Sequence, residues 1–466
     1  MRNTADMGFD MAALKTGWLL LAASTASATL QIVPGATWTG TNTGAHVQAH
    51  GAGVFKEGST YYMVGEDKTN GSAFQNVNCY SSTNLVEWTY VGALLSRTAS
   101  SGDLGANRVV ERPKIIYNDS TGKYVLYMHI DDSSYSEAKV GVAIGDAVCG
   151  SYAYQGSFQP LGFQSRDMGL FKDDDGTGYL LTEDRANGLR IDKLSTDYLA
   201  VTEATYLWSD SIEAPAMLKR QGTYYMFGSH LTGWDANDNV YSTATSLAGP
   251  WSAWRTFADA GSNTYDSQTN YILPLGGGDG DGGAIYMGDR WESSNLMRST
   301  YVWLPLEFSS AGDAAVSMTN RVNWTPDVSA GTWAVGPSEN WPEAESATIA
   351  DGAREMSCAG CSGGEDVGYI GGSSGGSVAF GNVSSEVAAR TSVRIKYLNG
   401  DSTQRFASVD VNGVRQTIAF LPTTGGSPGS SVLNADLVGG RGNRVVITTT
   451  DGSYGPDVDR IMVPVN

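Results

Sequence analysis

The chain has 466 residues, which at about 150 per domain allows two or three domains with sizeable cores. Glycine at 58 residues and charged residues at only 17% exclude a coiled coil or a charge-rich disordered protein and point to short strands joined by turns. A formal net charge of −19 repels phosphate backbones and anionic lipid heads, so nucleic acid and membrane are excluded as partners, whereas a neutral polysaccharide meets no such penalty.

In chain order, the first feature is the apolar run Gly17 to Ala28 (GWLLLAASTASA), too short to span a bilayer and rich in small residues. It reads as a signal peptide over 1–30, with Met11 as the functional start because Asp6 and Asp10 do not suit the leading segment while Lys15 does. A secreted, extracellular protein is therefore expected. Sequons at Asn70, Asn118, Asn323 and Asn382 fit that route as glycosylation acceptors.

From His50 onward one unit recurs: a polar residue, a short apolar strand, a glycine-containing turn, and an aromatic-rich strand that ends in polar residues. Its five copies begin at His50, Glu111, Asp167, Glu213 and Gln268, at steps of 61, 56, 46 and 55 residues. Hairpin chemistry at this period predicts the blades of a five-bladed β-propeller. The first strand of a blade lines the axis, so the five leading residues converge at one mouth. The antiparallel second strand returns there with Glu66, Asp131, Asp184, Ser229 and Asp289 beside Arg290. Carboxylates remote in sequence and gathered in one cavity are what glycoside hydrolysis requires. In Glu111-Arg-Pro and Glu213-Ala-Pro the proline fixes φ just after the carboxylate, a rigid way to aim it inward. Tyr135, Trp234 and Trp291 are candidate stacking aromatics for a sugar, with Glu66 and Asp184 as candidate hydroxyl-binding groups.

The repeats stop after Trp324, and a Gly/Pro/Ser passage leads to a region of small residues and alternating strands such as SVRIKYLNG and NRVVITTTDG. The expected organisation is a propeller over 31–335, a linker over 336–340 and a jelly-roll-like β-sandwich over 341–466, all-β throughout. Glu343 and Glu345 point the same way from one edge, and if the terminal strands pair, Asp459 joins them as a structural calcium site. No cofactor is expected for the chemistry itself. Asp451 and Tyr454 are candidate sugar contacts of this second domain. Cys358-Ala-Gly-Cys361 suits a small disulfide loop, because no further ligands follow to complete a zinc site, while the state of Cys79 and Cys149 is left open.

The segments AHGAGVF, ERPKIIYN, YMHIDD, RDMGLFKDDDGTGYLLTED and SIEAPAM resemble glycoside hydrolase family 43, in its exo-β-1,3-galactanase branch, over most of 31–335. PEAESA, VDVNG and GPDVDRI are similar to carbohydrate-binding modules of family 35. The resemblance implies a five-bladed propeller and an inverting mechanism, with Glu213 as general acid and Asp167 as the carboxylate that orients it and raises its pKa. One departure stands out. The family's usual aspartate base at the start of the first blade is replaced by Gln48-Ala49-His50-Gly51. Glu111 is the better base on pKa grounds, whereas the galactanase resemblance points to Gln268 as the water holder, with Glu111 binding sugar hydroxyls. The expected function is a monomeric, secreted polysaccharide-degrading hydrolase that releases galactose or short oligosaccharides from the β-1,3-galactan of arabinogalactan main chains. The rivals are an arabinofuranosidase or xylosidase of the same fold, and a galactan-binding lectin that has lost its base.

Overall fold

The computed structural model describes residues 1, 30–99, 101–276, 282–309, 314–386 and 388–465. The expected signal peptide, with Met11, lies almost wholly outside the described residues. The described part is all-β. Each of the five sequence repeats forms a four-stranded antiparallel sheet, numbered I to V here. Their first strands are His50–Glu57, Val109–Asn118, Met168–Lys172, Ile212–Arg220 and Gln268–Pro274. These strands touch in cyclic order, and the fifth returns to the first, so the sheets form a propeller-like ring.

The hairpins follow from local chemistry. In sheet IV, Arg220 pairs with Thr223 across Gln221-Gly222, both at positive φ, the two-residue turn whose twist matches that of the strands. In sheet II, Asn118 caps its turn by accepting the Ser120 and Thr121 amides. Its amide nitrogen donates to the Thr196 carbonyl, and Asn118 is buried, which rules it out as a glycan acceptor. Asn323 is buried too and donates to Pro337, so among the four expected sequons only Asn70 and Asn382 are exposed.

A shared irregularity sets the site. In sheets I, II and IV the ladder breaks just after the leading polar residue, between His50 and Gly53, Glu111 and Lys114, and Glu213 and Ala216. The residue next to each leader, Gly51, Arg112 or Ala214, has φ of 54–57°. A bulge of this kind re-aims a side chain, and Pro113 and Pro215 fall inside it, where no ladder amide is needed.

The second unit is built from a seven-stranded and a five-stranded sheet over one core that includes Ile395, Tyr397, Val409, Phe420 and Ile447. Two boundaries differ from expectation. Ser338–Asn340, within the expected linker, pairs with the terminal strand Asp457–Val465. Thr37–Trp38, at the start of the expected propeller, adds a parallel strand to Gly429–Leu437 of the second unit. Strands of two or three residues carry no periodicity, and they form here because an exposed sheet edge offers partners to otherwise unpaired backbone groups. Trp38 then packs its ring on Tyr301 and Trp303 of the first unit, at 4.9 Å from each. Disulfides join Cys358 to Cys361, as expected, and Cys79 to Cys149, which links sheet I to the loop after Lys139–Gly145 of sheet II.

Gly65 gives a direct test of this packing. A Cβ there would lie 2.3 Å from the Ala49 carbonyl carbon, just ahead of the first strand. Gly65→Ala should therefore cost about 1–3 kcal/mol, measured as a fall in unfolding temperature. Gly381→Ala, with nothing within 4 Å, should stay within about 0.5 kcal/mol of the parent.

Candidate active site

The leading residues of sheets II to V and their neighbours enclose a cavity of about 300 Å³. Glu111, Asp167, Glu213, Gln268, Glu66, Tyr135, Trp234 and Trp291 all line it, as the sequence predicts. Asp184 does not. It is fully buried, accepts from Asn187 Nδ2 at 2.8 Å and lies 3.8 Å from Arg190, so it closes a turn at the end of Gly178–Asp184 instead of binding a ligand. Its neighbour Glu183 lines the cavity in its place, because successive residues of a strand point to opposite faces. His50 is also turned away. Its ring stacks on Tyr301, and Nδ1 lies 3.1 Å from Asp289, so neither His50 nor Asp289 reaches the cavity. Asp131 and Ser229 do not line it either, and Arg290 lies at the seam between the two units.

Arg112, which sequence reasoning passed over, sits at the centre. Its guanidinium donates to Gln268 Oε1 at 2.6 Å, to Asn270 Oδ1 at 2.6 Å and to the Thr269 carbonyl at 2.8 Å, and it pairs with Asp167 at 2.9 Å. Its backbone amide donates to Glu66 at 2.8 Å. Its place inside the Glu-x-Pro motif was the available signal, since the bulge that turns Glu111 inward turns its successor as well.

Two carboxylates end in opposite states. Burial, reinforced by the charges of Asp167 and Glu183, pushes Glu213 up to about 8 against the pull of Arg112 and Arg185. Gln268 Nε2 donates to its Oε1 at 2.9 Å. Glu111 is also desolvated, but Lys68 and His129 more than offset burial and hold it down at about 2. Tyr135 donates to its Oε1 at 3.0 Å, Lys68 Nζ lies 3.5 Å away, and His129 Nδ1 is 3.4 Å from Oε2. Burial disfavours charge on His129, yet hydrogen bonds to Asp131 and Glu111 raise it to about 9, so it stays an imidazolium. Trp291 Nε1 donates to Gln268 Oε1 at 2.9 Å, and Trp234 meets Trp291 edge to face at 4.9 Å, which leaves an aromatic wall beside the acids.

In the second unit, Glu343 and Glu345 each keep a buried carboxylate oxygen without a partner, as does Asp366. Asp459 lies among them, but Ser362 N at 3.1 Å and Arg460 at 2.6 Å already engage its two oxygens. Burial and the nearby acids Asp457, Asp459 and Glu345 push Asp366 up to about 6. Tyr454 is exposed and meets Tyr369 edge-on at 6.1 Å, while Asp451 closes its own turn by accepting from Ser453.

Residues 47–269 match the family described as glycosyl hydrolases family 43. An exo-β-1,3-galactanase from Phanerochaete chrysosporium, solved with galactose, is 40% identical over 93% of this chain and 100% of its own, with a TM-score of 0.65. The chain belongs to glycosyl hydrolase family 43. A variant of that fungal enzyme was solved with β-1,3-galactotriose. An exo-β-1,3-galactanase from Clostridium thermocellum is 25% identical over 93% of this chain and 100% of its own, with a TM-score of 0.61. No curated protein matches the chain. This family 43 chain is a glycoside hydrolase.

The electrostatics predict a pH profile. Glu213 should lose its proton as pH rises through about 8, and removing the neighbouring negative charge with Asp167→Asn should move that transition to lower pH. The basic limb of kcat/KM against pH reads it, and an unmoved limb would detach Asp167 from Glu213.

Proposed function

We propose that this chain is a secreted, exo-acting, inverting hydrolase of β-1,3-galactan, built as a five-bladed propeller with a β-sandwich binding module of the family 35 type. The observation that carries the reading is Glu213. It is a carboxyl held in its acid form at neutral pH inside a cavity of about 300 Å³, in a chain 40% identical to an exo-β-1,3-galactanase solved with galactose. A cavity of this size takes the end of a chain, with the sugar face on Trp234 and Trp291 and its hydroxyls on Glu66, Glu111 and Tyr135.

In this mechanism Glu213 gives its proton to the leaving glycosidic oxygen while water attacks the anomeric carbon from the opposite face. Glu111 is a poor base, because against its burial the charges of Lys68 and His129 hold its pKa at about 2 and leave it little affinity for a proton. Gln268 is left as the water holder, fixed through Oε1 by Arg112 and Trp291, and the proton that the attacking water loses passes to solvent. Inverting pairs stand about 6.5–9.5 Å apart to admit a water. Gln268 and Glu213 touch at 2.9 Å, so a sugar and its attacking water part them on entry. Of the expected calcium ligands Glu343, Glu345 and Asp459, burial and the charge of Glu343 raise the pKa of the other two, a repulsion that a hard cation taking carboxylate oxygens would relieve. Tyr454 offers an exposed ring for a sugar.

Glu213→Gln should keep the fold and lower galactan turnover by about 10²- to 10⁴-fold, with a smaller loss on a substrate bearing a good leaving group. The released galactose should appear first as the α-anomer by NMR. A β-anomer would end the inverting reading, release of arabinose or xylose instead would favour the rivals, and no release at any loading would make the protein a lectin. With azide, Gln268→Ala should form α-galactosyl azide and Glu111→Ala should not, and the reverse result would give Glu111 the base role. Chelation should lower the unfolding temperature of the full chain. An unchanged melt with no metal in the purified protein would remove the calcium.

A further inference from the structure

Where the ring meets the second unit, residues from both enclose a cavity of about 630 Å³, against about 300 Å³ for the catalytic one. Its composition runs against that of the whole chain. In a protein of net charge −19, five cations line it, Arg290, Arg298, Arg321, Arg394 and Lys396, with one carboxylate, Glu292. The four arginines are already neutralised. Arg290 lies 3.2 Å from Asp266, Arg298 lies 2.5 Å from Glu292, Arg321 lies 2.7 Å from Glu307, and Arg394 grips Glu339 through two nitrogens.

Lys396 is different. Among the described residues no carboxylate lies within 4.0 Å of its ammonium, which donates only to the Pro428 carbonyl and Ser430 Oγ, each at 3.1 Å. Burial and the positive charges of Arg394 and Arg460 hold its pKa down at about 8, and the more distant Asp459 and Glu339 do not make up the difference. Lys396 and Arg394 share one face of Ala389–Leu398, so both stand on a rigid central strand. Two further donors in the wall, Arg298 Nε and Arg321 Nε, are buried without a partner. The hydroxyls of Thr300 and Ser427 and the side-chain amide of Asn320 complete a polar lining drawn from both units.

We propose that this seam cavity binds a saccharide carrying a carboxylate, the carboxylate on Lys396 and the sugar hydroxyls on the donors and hydroxyls around it. One unneutralised positive charge matches one negative charge. A doubly charged phosphate would find its remaining arginine partners already occupied, whereas a uronate brings a single charge together with hydroxyls for a wall of this kind. The site is separate from the catalytic cavity and shares no lining residue with it.

The test uses the full chain, with galactose in excess to fill the catalytic cavity, titrated by calorimetry with methyl β-glucuronide and, in parallel, with methyl β-glucoside. The glucuronide should bind and the glucoside should not. Lys396→Met should weaken glucuronide binding about tenfold or more, the worth of a hydrogen bond to a charged group, and Lys396→Arg should restore part of it. Galactan turnover and the unfolding temperature should stay at parent values in Lys396→Met, which separates loss of the site from loss of the fold. The proposal is overturned if the glucuronide fails to bind the parent, if it binds Lys396→Met equally well, or if inorganic phosphate displaces it at equal concentration.

Discussion

The constraint on which the site depends is one buried guanidinium. Glu66, Glu111, Asp167, Glu183 and Glu213 crowd around a single cavity, and left alone such a group would repel itself apart or take up protons. Arg112 reaches Asp167 of sheet III and Gln268 and Asn270 of sheet V, while its backbone amide holds Glu66 of sheet I. Four sheets are thus tied at the axis by one residue. A lysine could not replace it, since only a planar fork serves several acceptors in fixed directions at once. That Arg112 sits at φ 55°, a conformation non-glycine residues rarely adopt, shows how far the surroundings dictate its place.

The same crowding sorts the acids. Lys68 and His129 stand on the Glu111 side of the cavity, so Glu111 is a permanent anion. Glu213 faces Asp167 and Glu183, and its own cation contact, Arg185, is shared with Glu183. Two glutamates in the same register of equivalent strands therefore hold different charges because of what the neighbouring sheets bring. The bulge aims them alike, and the second strands make them unlike.

Much of this was legible in the sequence because it repeats. The five-fold recurrence gave the sheets, and its register gave Glu111, Glu213 and Gln268, since a strand entering a ring has one direction in which to point its first polar residue. What failed was local. Asp184 and Glu183 are adjacent, and a shift of one residue exchanges cavity for turn, a choice decided by the ladder in which Asp184 pairs with Gly188. Arg112 was hidden because a residue between a glutamate and a proline has no periodic signature. The Cys79–Cys149 bridge could not be read because one half lies in a strand of sheet I and the other in a loop of sheet II, 70 residues apart.

The strand Thr37–Trp38 also bears on how the molecule comes to exist. Thr37 Oγ1 meets the Tyr397 hydroxyl 360 residues further along, and its backbone partner Ser431 comes later still. At ribosomal speed that is a wait on the order of tens of seconds. During that time the ring can close, but Trp38 lacks the strand that will fix its backbone, and the seam stays open to water. A chain that stops before the second unit would keep this edge exposed, so the last quarter of the sequence acts as the clasp that finishes a fold begun near Thr37.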